Sequence, residues 1–99
     1  MKIKWTEPAV IDLENIKEYI SKDSQHYGLI VIEKIIDAVE KLVKFPRIGR
    51  EVPEMNDCNI REILSSNYRI IYKLGEDHIL ILAIVHGARD LRSLKPWEL

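Results

Sequence analysis

The run Ile79 to Val85, ILILAIV, is apolar at every one of its seven positions. Nothing else in the chain restricts its fold as much. Seven residues suit a strand, not a membrane span, which needs about 20. The β-branched content favours a strand covered on both faces and so a central place in a sheet. Polar groups follow at once: His86, Gly87, Ala88, Arg89 and Asp90. A buried strand ending in such groups is a rigid mount for them. Upstream, Tyr68 to Leu74 alternates, setting Arg69, Ile71 and Lys73 opposite Tyr68, Ile70 and Tyr72. Gly75-Glu76-Asp77 fits a tight turn between these strands, with Gly75 open to a positive φ.

The rest of the chain supplies what must cover such a sheet. Lys2 to Thr6 alternates as a short first strand. Thr6 can cap a helix that has Pro8 in its first turn and Ala9, Leu13, Ile16 and Ile20 on one face, ending near Ser21. Asp23 or Ser24 can cap a second helix, about Gln25 to Lys44, which Phe45-Pro46 stops. Arg47 to Asn59 reads as a loop. Ile60 to Leu64 reads as a strand with Ile60, Glu62 and Leu64 on one face and Arg61 and Ile63 on the other. Ser65 to Asn67 is a hairpin turn. The fold expected is α+β in the order βααβββ. Its N-terminal strand and helical hairpin pack on one face of a small, mainly antiparallel sheet. The other face is then expected to stay open as a concave surface bearing Arg69, with Arg61 on a neighbouring strand.

Composition narrows the function classes. Ninety-nine residues, 46% hydrophobic and 31% charged, make one globular domain spanning 1–99. Cys58 is alone, so no internal disulfide forms, and no metal-ligand spacing is present. The start, MKIKWTEP, lacks an apolar signal core, so a cytoplasmic protein without a membrane role is expected. A net charge of −1 does not announce a nucleic-acid binder. Yet all six Arg (47, 50, 61, 69, 89 and 92) follow Phe45, whereas most Lys precede it. Arg offers a planar fork suited to phosphates and carboxylates.

YRIIY, a polar turn, an apolar strand and HGARD resemble the RelE/ParE family of small bacterial and archaeal toxins. Ile60-Arg61-Glu62 and the FPRIG run from Phe45 to Gly49 fit the same pattern, and the likeness extends to about Leu94. It implies the toxin of a type II toxin–antitoxin pair, with a cognate antitoxin as partner and no cofactor. A homodimer or a heterotetramer with the antitoxin are assemblies it allows. In the RelE branch, ribosome-bound mRNA is cut. Arg69 and Arg89 would then hold the phosphate, while Glu62 and His86 would move protons. The plainer alternatives are a salt bridge from Arg69 to Glu62 and a structural hydrogen bond from His86 to Asp90 or to backbone. RelE carries two lysines where this chain has Ile60 and Glu62. It also has a late tyrosine near the place of Lys95, whereas no Tyr follows Tyr72 here. The likeness is therefore greater to the ParE branch, whose members bind DNA gyrase and trap its cleaved complex with DNA. In that branch Arg61, Arg69, Lys73, Arg89 and Arg92 would face the target or the antitoxin. A non-toxic, partner-binding member of the same fold is the third reading.

Overall fold

A computed structural model describes residues 1–87. The elements run β1 (Lys2–Trp5), α1 (Glu7–Ser21), α2 (Gln25–Glu40), a short 3-10 turn (Lys41–Val43), β2 (Arg50–Glu51), β3 (Ile60–Ser65), β4 (Tyr68–Leu74) and β5 (His78–His86). The sheet has five strands in the order β1-β5-β4-β3-β2. β1 is parallel to β5, and the other pairings are antiparallel. The expected α+β architecture holds, with β2 added inside the stretch that reads as a loop. Two residues without an apolar partner leave no periodicity to detect.

Both helices begin where their capping chemistry lies. The Thr6 hydroxyl accepts from the Ala9 amide at 3.3 Å, and the Ser24 hydroxyl accepts from Tyr27 at 3.1 Å. Thr6 also donates to the Ile81 carbonyl at 2.7 Å, which ties the turn into α1 to the central strand. β1 stops at the Trp5–Ile81 pair, but β5 continues. One orphaned donor there, the Ile84 amide, is met by the Asp12 carboxylate of α1 at 2.9 Å.

β5 is covered on both faces, as its composition demands. Ile79, Ile81 and Ile84 pack with Ile70, Tyr72 and Leu74 against Val31, Ile35, Val39 and Leu42. Leu82, Ala83 and Val85 turn to the other side. This switch of phase comes from a β-bulge: Ile71 pairs with Ala83 but Tyr72 pairs with Ile81, leaving Leu82 extra. Uniformly apolar sequence hides such a bulge, because no alternation is present to be broken.

Two expectations are corrected. The face away from the helices is not open. Ile71, Ala83, Val85 and Ile60 are buried there, with Val52 and Met55 from the 52–59 loop packed on them. A sheet face this apolar must be covered, and that loop contributes the cover. The second concerns the turns. No glycine among the described residues has a positive φ; Ser66, in the β3–β4 turn, takes it at 54°. Gly75 matters through space, since a Cβ there would lie 2.9 Å from the His78 carbonyl oxygen.

Candidate functional site

The sequence sets Glu62 and Arg69 on one face of adjacent strands. In the register Glu62 pairs with Ile71, so Arg69 is its diagonal neighbour on the face away from the helices. The structure joins them. Arg69 Nη2 is 2.6 Å from Glu62 Oε1 and Nε is 3.0 Å from Oε2. The other side of the same guanidinium meets Glu54, with Nη1 and Nη2 each 2.8 Å from a carboxylate oxygen. Arg50 Nη2 adds a bond to Glu62 Oε2 at 3.2 Å. Arg69 is 5% exposed and the Glu62 side chain 0%, whereas Arg50 reaches solvent. The result is a charge-balanced chain Arg50–Glu62–Arg69–Glu54, buried at its Glu62–Arg69 centre. Hydrogen bonds donated to Glu54, joined by those to Glu62, hold the Arg69 guanidinium above its ordinary range and outweigh desolvation. The planar fork binds both carboxylates in bidentate fashion, which lysine cannot do.

Arg61 points the other way. Its Nη1 donates to the Gly49 carbonyl at 2.9 Å. Gly49 is also held by the Tyr72 hydroxyl, which accepts from the Gly49 amide at 3.0 Å and donates to the Pro46 carbonyl at 2.9 Å. Burial raises the Tyr72 hydroxyl above its usual value. The FPRIG turn is thus locked to β3 and β4 from beneath. A Cβ at Gly49 would sit 2.6 Å from both the Glu62 carbonyl oxygen and the Tyr72 hydroxyl, so only glycine fits.

His86 pairs with Tyr68 across β4 and β5, with ring centroids 6.1 Å apart in an edge-on arrangement. Directly paired residues share a face. Tyr68 packs with the helix-side core, so His86 lies on the opposite face of the sheet from Arg69. Lys73 is exposed on the Arg69 face. Arg89, Asp90, Arg92 and Lys95 lie outside the described residues. The structure therefore gathers Glu62 and Arg69, but with Arg50 and Glu54 in place of His86. Arg50 and Glu54 sit in the aperiodic 47–59 stretch, where no spacing points to a partner. Among the described residues no cluster of His, Cys, Asp and Glu could hold a metal, and no helix is long and apolar enough to cross a membrane.

Comparison with known proteins agrees with this architecture. The family described as "ParE toxin of type II toxin-antitoxin system, parDE" matches residues 3–91. A Sinorhizobium fredii protein named "Putative toxin Y4kP" is 30% identical over 88 residues, covering 87% of this chain and 88% of that one. Among solved structures, one of the chromosomal ParDE toxin–antitoxin system from P. aeruginosa superposes with a TM-score of 0.72 at 22% identity, over 87% of this chain and 95% of that one. One of the RelBE2 toxin–antitoxin complex from Mycobacterium tuberculosis gives 0.62 at 17% identity, over 86% and 95%. At those identities the two structures speak for the fold. The family match spans the strands, the helical hairpin and the buried ion chain alike, and by it this chain belongs to the ParE toxins of type II toxin–antitoxin systems.

Proposed function

We propose that this protein arrests growth by binding DNA gyrase and trapping its cleaved complex with DNA, and that a cognate antitoxin neutralises it in the cytoplasm. The observation that carries the choice of target is the state of Arg69 and Glu62. A phosphate-holding arginine must offer donors to the substrate, and a general base must reach the proton it removes. Here both side chains are buried and bonded to one another, and His86 stands on the other face of the sheet. The family match supports the same branch. The antitoxin partner is supported by the two superposed structures, both of toxin–antitoxin systems. Its segment would suit the groove of the helical hairpin lined by Glu14, Lys17, Glu18, Ser21, Gln25 and Leu29. An amphipathic helix in a groove is the corresponding mode of recognition. Controlled induction in cells tests the target. Chromosome breakage with SOS induction and intact ribosome-bound mRNA are expected; cut mRNA without breakage would reject the reading.

A further inference from the structure

The segment 41–50, KLVKFPRIGR, contains four cations and no acidic residue, in a chain of net charge −1. It also carries large apolar side chains turned outward: Phe45 is 58% exposed and Ile48 62%. Neither belongs to the two core clusters. Their backbone is nevertheless fixed. The Phe45 amide donates to the Lys41 carbonyl and the Ile48 amide to the Phe45 carbonyl. From beneath, the buried Tyr72 hydroxyl holds Pro46 and Gly49, and Arg61 holds the Gly49 carbonyl. A turn pinned on one side and displaying an aromatic, an aliphatic and Arg47 on the other is a preorganised contact. Rigid display reduces the ordering cost of association, and aromatic residues and Arg are enriched where interfaces concentrate their affinity.

We infer that the Lys44–Ile48 turn is the surface that docks on the toxin's protein target, in an apolar pocket with an acidic rim. The inference rests on the reading of this chain as a toxin with a protein target. Lys44 and Arg47 flank the apolar pair and call for carboxylates on the partner. Two outward apolar side chains favour a protein pocket over a nucleic-acid backbone, which attracts the cations alone. The antitoxin groove begins at Gln25 and Leu29, at the start of α2, whereas this turn follows the helix's far end. Sixteen residues at about 1.5 Å each separate the two ends by roughly 24 Å.

The test uses the full chain with gyrase holoenzyme, with naked DNA, and with its cognate antitoxin. Phe45→Ser/Ile48→Ser and, separately, Lys44→Glu/Arg47→Glu are compared with the exposed control Leu64→Ser. Each double variant should weaken gyrase binding by about tenfold or more. Antitoxin affinity and melting temperature should remain those of the wild type, and the control should bind normally. Gyrase binding within twofold of wild type in both variants overturns the inference. So does an equal loss of antitoxin binding, or a loss confined to naked DNA. If the wild type itself does not bind gyrase, the gyrase reading fails and growth arrest becomes the readout. Arrest relieved in both variants with antitoxin binding intact then supports the docking turn with another protein target; arrest retained in both, or absent in the wild type, sinks it.

Discussion

Arg69 is where this chain's chemistry is most constrained. Its two carboxylate partners are each held by charge-assisted hydrogen bonds in a water-poor setting. Removing it leaves two acidic groups without their main partner, and the fully buried one, Glu62, retains among the described residues only the solvent-exposed Arg50. Arg69→Met should therefore cost about 3–5 kcal/mol, because a poorly compensated buried charge is far dearer than a lost surface pair; urea unfolding measures it. A cost below about 1 kcal/mol would mean that the cluster is solvated in solution. His86→Gln addresses function. It keeps a hydrogen-bonding side chain but cannot shuttle a proton. A gyrase-binding toxin should arrest growth nearly as well with it, whereas a nuclease using His86 as acid or base should lose roughly 10²–10⁴-fold in cleavage. Tyr72 provides a pH signature. Its folded-state pKa is raised by burial, so folding favours the neutral phenol. That contribution is complete below the unfolded value of about 10 and is lost as pH rises from there through the folded value. Tyr68 is raised as well and adds to the same alkaline loss. Tyr72→Phe should destabilise by about 1–3 kcal/mol at pH 7, since the buried Gly49 amide loses its acceptor, and should make the alkaline fall shallower. Melting curves from pH 7 to 11 read both effects.

At the scale of elements, the sequence was most readable where a period meets a cap. Thr6 and Ser24 start both helices as their hydroxyls require, and β3 and β4 lie on the predicted faces. The same alternation set Arg69 away from the helices and Arg61 on the neighbouring strand. What was not legible depends on long-range contact. The 47–59 stretch has no period, so neither β2 nor the fold-over of Val52 and Met55 could be foreseen. The bulge at Leu82 is hidden by seven apolar residues in a row. The salt bridge between Arg69 and Glu62 was legible from register, but its burial was not, because burial depends on that loop. FPRIG could be noticed as a pattern, but its reason lies in Tyr72, 23 residues from Gly49. That reason is testable. Gly49→Ala drives a methyl into the Glu62 backbone oxygen, which cannot swing aside, and should cost about 1–3 kcal/mol and loosen the turn. Thermal melts and amide exchange at Ile48 and Gly49 follow it; wild-type values for both would show that β3 can shift to admit the methyl.

As a whole, the molecule is a sheet enclosed on both sides. The helical hairpin covers one face, and the 52–59 loop, pinned through Glu54, contributes to covering the other. Such a body has little open sheet to offer. The surfaces proposed for its partners are, among the described residues, the hairpin groove at the start of α2 and the basic, apolar turn beyond the helix's end. That arrangement suits a protein that works by contact, and the buried Glu62–Arg69 pair weighs against one that works by proton transfer. The proposed poisoning of gyrase is read out by incubating purified toxin with gyrase holoenzyme and supercoiled plasmid, trapping with detergent, and digesting with protease. Linear plasmid should accumulate with toxin concentration and disappear when antitoxin is added first. No linear product, together with cleavage of ribosome-bound mRNA by the same preparation, would contradict it.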